Sequence, residues 1–244
     1  MKELTLTMPY EEDWQTKEAF KALRTNLLFC GSEIRVVGIT SCDENEGKST
    51  IAMALSTNLA QIGKRVILVD CDLRKSVLAS RHQIDEEITG LSHYLSGQVD
   101  LKDVVYKTNV EHMDMILAGI VPPNPTELLG HPRFVKLVDE LKETYDYVIL
   151  DTPPLGKVVD SAVIAPVADG MAVVVEANIT SRKFVDRIVT QLQRTNAKVL
   201  GVIINKIPRK QSRYGRGYGY GYGYGYGYGY GYGHYGHTPE SEKE

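Results

Sequence analysis

The residues Gly47-Lys48-Ser49-Thr50 have the types and the order of a phosphate-binding loop. They follow a short apolar run at 34–40 and precede a segment, 49–62, whose apolar residues recur at helical spacing. In such a loop, backbone N–H groups at the helix start point at phosphate oxygens, the lysine reaches the β- and γ-phosphates, and the hydroxyl binds Mg²⁺. The pattern predicts that Glu46, Gly47, Lys48, Ser49 and Thr50 bind a nucleoside triphosphate.

This loop departs from the general pattern G-x-x-x-x-G-K-[ST]. Cys42 occupies the first glycine position, and Asn45 stands where many such loops have another glycine. Asn suits that place because it tolerates a left-handed backbone better than other non-glycine residues. Asp43, Glu44 and Glu46 add negative charge, which we expect to weaken triphosphate binding unless these acids are paired or solvated.

Three aspartates follow two other apolar runs. Asp70 and Asp72 come after the run 66–69, and Asp151 follows 147–150. One aspartate of this kind could simply cap a helix. Three of them after strands of one sheet indicate a functional site instead. Carboxylates beside a phosphate loop suit a Mg²⁺ site and a proton acceptor, and Asp151 is placed like a Walker B carboxylate.

Two further polar residues have open roles. Arg74 either pairs with Asp72 or contacts phosphate, and we keep it as a candidate nucleotide-binding residue. Asn205 follows the last apolar run, where a purine base could sit.

These side chains need a scaffold that brings them together. Residues 1–208 alternate apolar runs with amphipathic segments. Such alternation predicts an α/β fold of the P-loop type, a mostly parallel sheet with helices on both faces, in which ligands bind beyond the carboxyl ends of the strands. The predicted strands are 34–40, 65–70, 113–117, 147–150, 172–176 and 199–204, and the predicted helices include 49–62, 132–144 and 183–195.

The bulk composition of the 244 residues limits the possible partners. Hydrophobic residues make up 43% and charged residues 24%, which is ordinary for a globular protein. The net charge of −3 provides no field that favours nucleic acid, so we expect no nucleic-acid partner. No apolar run reaches the ~18–20 residues that span a bilayer, and we expect a cytoplasmic protein whose membrane role depends on a partner.

The composition changes sharply after Pro208. The segment 209–244 holds ten of the 15 tyrosines, most of them alternating with glycine. Glycine at every second position costs backbone entropy and leaves one face of a strand without side chains. We therefore predict a disordered tail. It is either a target of multiple phosphorylation or a low-complexity adhesive or spacer.

Together these features resemble a known family, the P-loop tyrosine kinases of bacterial capsule and exopolysaccharide biosynthesis, in their free-standing cytoplasmic form. The resemblance covers nearly the whole chain. Besides the phosphate loop and the tyrosine cluster, it rests on EAFKALRTNL at 18–27, DCDLR at 70–74, GLS at 90–92, PPNPTELL at 122–129 and DTPP at 151–154.

The resemblance implies an ATP-dependent protein-tyrosine kinase with Mg²⁺ as cofactor. Lys48 and Asp70 are then the catalytic residues, and Asp70 accepts the proton of the substrate tyrosine. Three oxygen-bearing side chains would hold Mg²⁺: Ser49, Asp72 and Asp151. The autophosphorylation sites would lie in the tail, at Tyr218, Tyr220, Tyr222, Tyr224, Tyr226, Tyr228, Tyr230 and Tyr232.

The resemblance also implies partners. Glu18, Lys21 and Arg24 are similar to the family's self-association motif E-x-x-R-x-x-R, which implies a homo-oligomer such as a ring. Lys21 replaces the first arginine, and a lysine cannot make the bidentate fork of an arginine. The other implied partners are a transmembrane activator of the polysaccharide export system, which recruits the kinase to the inner face of the membrane, and a cognate tyrosine phosphatase.

Two other functions compete with the kinase. P-loop switch ATPases of the partition or septum-site type share the D-x-D after the second strand. They typically have a second lysine early in the loop, where this chain has Asp43, and they lack the tyrosine tail. A non-catalytic scaffold acting through the tail is the other alternative, and the retained Lys48, Ser49 and aspartates argue against it.

Overall fold

A computed structural model describes residues 2–6, 13–81 and 88–208. The predicted tail, 209–244, and its tyrosines lie outside the described residues. The prediction of disorder there stays a prediction.

The described residues form one sheet of eight strands in the order β1-β4-β5-β3-β6-β2-β7-β8. Every neighbouring pair is parallel except β4 and β5. The six predicted strands are all present as β2, β3, β5, β6, β7 and β8, which confirms the mostly parallel sheet. The strands are β1 Lys2–Leu4, β2 Val36–Ser41, β3 Val66–Asp70, β4 Tyr106–Thr108, β5 Met113–Ile116, β6 Tyr147–Asp151, β7 Gly170–Glu176 and β8 Val199–Asn205.

Helices connect the strands and cover both faces of the sheet, as predicted. The long ones are α1 Trp14–Leu28, α2 Lys48–Ala60, α6 Pro132–Thr144 and α8 Arg182–Gln193. Short helical segments lie between them: α3 Leu78–Arg81, α4 Leu91–Leu95, α5 Pro125–Leu129 and α7 Asp160–Ile164. Within the described part of the chain, no helix is both long enough and apolar enough to cross a bilayer.

The central strands are buried on both faces, which explains their continuous apolar sequences. In β3, Val66 and Leu68 belong to the core beneath α2, whereas Ile67 and Val69 belong to the core beneath α6. Helix α2 is buried almost all round, from Ile51 to Ala60. The sheet and α2 therefore form a rigid base for the loop that joins β2 to α2.

Candidate nucleotide and phosphoryl-transfer site

The chemically interesting residues meet because β3, β6 and β2 are adjacent and parallel in the sheet. Asp70 ends β3, Asp151 ends β6, and the two are directly opposite each other in the strand register. The phosphate loop follows β2, the next strand along. All three segments therefore end at one edge of the sheet, as the rule for ligand binding in such sheets predicts.

The loop backbone adopts the left-handed conformations that its sequence suggested. Asn45 has φ of +62° and Gly47 has φ of +97°. A Cβ on Gly47 would lie 2.1 Å from Nδ2 of Asn205, which itself donates a hydrogen bond to the Glu46 carbonyl at 2.9 Å. Asn205, a candidate for a base contact, thus also braces the loop. Cys42, at the first glycine position, is fully buried in the apolar core next to the loop.

Two of the three loop acids form ion pairs with lysines. Asp43 Oδ1 lies 3.1 Å from Lys157 Nζ, and Glu44 Oε2 lies 2.9 Å from Lys75 Nζ. Both lysines line the same cleft as the phosphate loop. Because these two acids are paired, we expect their negative charge to weaken triphosphate binding only slightly.

The third acid, Glu46, has a different environment. Its side chain is buried and accepts hydrogen bonds from the backbone N–H of Asp43, at 2.8 Å, and from the hydroxyl of Thr180. The N–H of Glu176 also approaches it, at 3.4 Å. The carboxylate therefore ties the phosphate loop to the turn between β7 and α8. A nucleotide contact through the Glu46 backbone stays a prediction.

Lys48 lies at the centre of the site. Its Nζ is 3.0 Å from Asp72 Oδ2 and 3.7 Å from Asp151 Oδ1. It also donates to the Ser49 hydroxyl at 3.3 Å. Burial alone lowers the pKa of Lys48, but the charges of Asp151 and Asp72 outweigh burial and raise the pKa above its usual value. The ammonium therefore stays charged at neutral pH, and its contact with the β- and γ-phosphates stays a prediction.

Asp70 is fully buried beside these charges. It accepts hydrogen bonds from the Ser76 hydroxyl and, at 3.1 Å, from the backbone N–H of Asp72. Burial and then the charge of Asp151 raise the pKa of Asp70 from 3.8 to about 7, although the Ser76 contact acts in the other direction. A carboxyl group with a pKa near 7 can accept and release a proton at neutral pH.

The predicted Mg²⁺ ligands fit the ion chemically. Ser49, Asp72 and Asp151 are all buried, and an oxygen of each lies within 3.7 Å of Lys48 Nζ. Mg²⁺ prefers carboxylate and other oxygen ligands. Three aspartates, Asp70 included, share this buried region with one lysine, so a further cation is electrostatically favoured there. No cluster of three or more His, Cys, Asp or Glu side chains with metal-site geometry occurs in the described residues.

Arg74 has a partner that the sequence did not reveal. Its Nε donates to Asp160 Oδ2 at 2.6 Å, and its Nη2 donates to Thr126 Oγ1 at 2.8 Å. Of the two options from the sequence, the ion pair with Asp72 is replaced by one with Asp160. Contact with phosphate stays open because Arg74 lines the cleft. Nothing in the spacing around Asp160 distinguishes it from a surface residue, which is why sequence reasoning missed it.

The predicted self-association residues lie on α1. Lys21 Nζ pairs with Glu18 Oε1 at 2.8 Å, and both side chains are about half exposed. Arg24 instead donates from Nη1 to the carbonyl of Asn58 on α2, at 3.2 Å. Arg24 thus holds α1 against its own chain, whereas Glu18 and Lys21 are accessible. Their role in self-association stays a prediction.

The fold and this site define a P-loop nucleotide-binding protein. A family model described as an AAA domain matches residues 35–203. The septum site-determining protein MinD of Pyrococcus horikoshii has a TM-score of 0.61 at 24% identity, over 72% of each chain. That likeness shows the fold alone.

Kinases are more similar. The tyrosine-protein kinase CpsD of Streptococcus agalactiae is 42% identical over 201 residues, which are 82% of this chain and 88% of CpsD. The crystal structure of the chimerical protein CapA2B2 gives a TM-score of 0.77 at 30% identity, over 85% of this chain and 94% of that one. The kinase domain of the Escherichia coli tyrosine kinase ETK gives 0.75 at 32% identity, over 84% and 80%. The chain belongs to this family of bacterial tyrosine-protein kinases.

Proposed function

We propose that the protein transfers the γ-phosphoryl group of Mg-ATP to protein tyrosines, first of all those of its own tail, and thereby regulates capsule or exopolysaccharide synthesis and export. The observation that carries the proposal is the placement of Asp70. Its buried carboxyl group, with a pKa raised to about 7, lies opposite Asp151 in the register and next to the charged Lys48. A proton acceptor of this kind suits the hydroxyl of a substrate tyrosine, and the similarity to tyrosine kinases favours that acceptor over water.

The residues divide the reaction between them. Lys48 binds the β- and γ-phosphates and stabilises the charge that builds up on the transferred group. Asp70 takes the proton from the tyrosine hydroxyl while the oxygen bonds to the γ-phosphorus, and the bond to the β–γ bridging oxygen breaks to release ADP. Ser49, Asp72 and Asp151 hold Mg²⁺, which neutralises phosphate charge when bound.

The tail is the proposed first acceptor. Residues 209–235 number 27 and have an r.m.s. span of roughly 29 Å, at ~5.5 Å × √n for a glycine-rich chain. We propose that a tail of this span reaches the site of a neighbouring subunit. Phosphorylation at the site of the same chain is the alternative. Each phosphotyrosine adds about −1.5 to −2 charges, so several would turn the tail into a polyanion. That charge would repel neighbouring tails and dissolve an oligomer.

A membrane partner belongs to the proposal. A relative described as a putative tyrosine-protein kinase in the cps region of Klebsiella pneumoniae is 38% identical to this chain, which covers only 28% of it. We propose that a separate transmembrane protein supplies a corresponding part here, recruits the kinase to the inner face of the membrane and activates it. A cognate tyrosine phosphatase would reverse the modification.

The test is to incubate the full chain with Mg-ATP, with and without the cytoplasmic segment of the membrane protein from the same polysaccharide system, and to map phosphotyrosine by mass spectrometry. We expect phosphate on Tyr218–Tyr232 with the wild type and none with Lys48→Met. ATP hydrolysis without phosphotyrosine would point to a switch ATPase, and neither activity to a scaffold. Mixing both proteins tests transfer between chains, because only transfer in trans would modify the Lys48→Met tail.

A further inference from the structure

Asp160 is a buried carboxylate that contacts Arg74, a residue of the cleft, and the proposed reaction does not use it. Its side chain is 1% exposed, and it lies at the start of α7, nine positions after Asp151. A buried carboxylate is costly unless it is paired and hydrogen-bonded. Asp160 meets that need by pairing with Arg74 and by accepting a hydrogen bond from Thr126.

The pair has side-on geometry. Asp160 Oδ2 accepts from Nε of Arg74 at 2.6 Å, and Oδ1 accepts from Nη2 at 3.2 Å. The other hydrogen of Nη2 goes to Thr126 Oγ1 at 2.8 Å. These contacts use three of the five N–H groups of a guanidinium. Both remaining N–H groups are on Nη1. Within the described part of the chain, Nη1 makes no hydrogen bond.

Arg74 lies where such a donor is useful. It lines the same cleft as Gly47, Lys48, Ser49 and Asp72, and its side chain is 40% exposed. A planar guanidinium held in place matches phosphate oxygens well, and little further rotamer entropy is lost when it binds them. Arg74 is therefore held in place through Nε and Nη2, whereas Nη1 can donate hydrogen bonds to a ligand.

The ion pair with Asp160 also keeps Arg74 from pairing with Asp72, one of the proposed metal ligands. The hydrogen bond to Asp160 is the largest cause of the raised pKa of Arg74, and the charge of Asp72 adds to it. Asp72 is the second carboxylate whose charge acts on the guanidinium, so Arg74 would turn to Asp72 if Asp160 were removed. An ion pair between Arg74 and Asp72 would compete with both Lys48 and Mg²⁺ for that side chain.

We infer that Asp160 and Thr126 are positioning residues, which hold Arg74 at the cleft so that its Nη1 donates to an oxygen of the transferred phosphoryl group. The inference rests on the proposed function and adds two residues to it that do not touch the nucleotide themselves. Positioned cationic donors matter most in phosphoryl transfer when charge builds up in the transition state. Asp160 and Thr126 therefore affect the chemical step more than nucleotide binding.

The variants test this inference at each contact. Asp160→Asn removes the charge but keeps one acceptor, Thr126→Val removes the hydroxyl, and Thr126→Ser restores it. Asp146→Asn is the matched control, because Asp146 also pairs with an arginine, Arg65, at 3.0 Å, but outside the cleft. For each protein we would measure kcat for tail phosphorylation, Kd for Mg-ADP and the melting temperature.

We expect Asp160→Asn and Thr126→Val to lower kcat by about 10- to 100-fold, the scale of a misplaced catalytic contact. Mg-ADP affinity should stay within about twofold of the wild type, Thr126→Ser should recover most of the activity, and Asp146→Asn should behave like the wild type. Asp160→Asn added to Arg74→Lys should cost little more than Arg74→Lys alone, because Asp160 acts through Arg74.

The opposite results would overturn the inference. These are unchanged kcat in Thr126→Val and Asp160→Asn, equal losses of Mg-ADP affinity and kcat, or independent effects of Asp160→Asn and Arg74→Lys. If Asp160→Asn fails to fold, the Thr126→Val and Thr126→Ser pair decides alone. Absence of tyrosine phosphorylation by the wild type itself would instead contradict the proposed function, and the two failures are therefore distinguishable.

Discussion

At the scale of single residues, Asp70 and Lys48 have opposite electrostatic situations within one buried site. Lys48 has two carboxylates nearby and remains charged, whereas Asp70 is fully buried beside Asp151 and its pKa is raised. The same cluster thus holds a permanent cation for phosphate and a carboxyl group that changes its protonation near neutral pH. That difference supports the proposed roles of Lys48 in phosphate binding and of Asp70 in proton transfer.

The raised pKa of Asp70 predicts a dependence of activity on pH. The base must be unprotonated, so the initial rate of tail phosphorylation should rise between about pH 6 and pH 8, with a midpoint near the pKa of about 7. Asp70→Asn should abolish this rise together with the activity. A rate that falls across this range would contradict the role of Asp70 as base.

The same pKa also predicts an effect on stability. The pKa is 3.8 in the unfolded chain and about 7 in the folded one. Between these values the folded state binds the extra proton, and stability falls as pH rises through this window. Asp70→Asn removes the buried charge, so the variant should gain melting temperature relative to the wild type at about pH 8 and gain nothing at about pH 4. Thermal unfolding at both pH values measures the difference.

At the scale of elements, the phosphate loop depends on the glycine at the start of α2. Gly47 has φ of +97°, and a Cβ there would displace the Asn205 amide from the Glu46 carbonyl. Gly63, beyond the other end of α2, has φ of +78°, and a Cβ added to it would meet nothing within 4 Å. The two glycines flank one helix, but only one of them lies at the site.

Gly47→Ala should therefore weaken Mg-ATP binding by at least about tenfold, because backbone strain and loss of the Asn205 brace add up. Gly63→Ala carries backbone strain alone, so it should lower stability by roughly 1–3 kcal/mol and leave the affinity unchanged. Titration calorimetry and urea unfolding measure the two quantities. If Gly47→Ala bound Mg-ATP as tightly as Gly63→Ala and the wild type, the loop would not need a glycine at position 47.

The elements also show how far sequence reasoning extends. Long or doubly buried segments such as β3 and α6 were predictable, because their apolar patterns have no other good explanation. β1 and β4 were missed because each has three residues, too few for a pattern. The short helices α4, α5 and α7 were missed for the same reason, and Asp160 and Thr126 lie on two of them. The positioning contacts of Arg74 thus depend on the elements that periodicity detects least well.

At the scale of the whole molecule, α1 has two surfaces with different partners. Arg24 is turned to the chain's own α2, and Glu18 and Lys21 pair with each other at the surface. If α1 carries self-association, Lys21 is the residue that limits it, since it lacks the fork of the arginine in the related motif.

Lys21→Arg should therefore raise the average mass of the protein in solution, measured by light scattering at fixed concentration. Lys136→Arg is the control, because Lys136 pairs with Glu140 on α6 in a similar exposed helical arrangement. We expect no change in mass for the control. Equal masses for Lys21→Arg and the wild type at all concentrations would argue against α1 as the association surface.

The position of β8 has a kinetic consequence. β8 runs parallel to β7 and β2, and it ends at Asn205, whose amide contacts the phosphate loop. The chain thus leaves its last strand at the edge of the sheet where the candidate site lies, and the tyrosine-rich segment 209–244 follows in the sequence. If this segment is a flexible tether, as its composition predicts, its tyrosines would have an effective concentration of about the millimolar range at the site. A chain that modifies itself would then react at a rate independent of dilution, and only transfer between chains would slow as the protein is diluted.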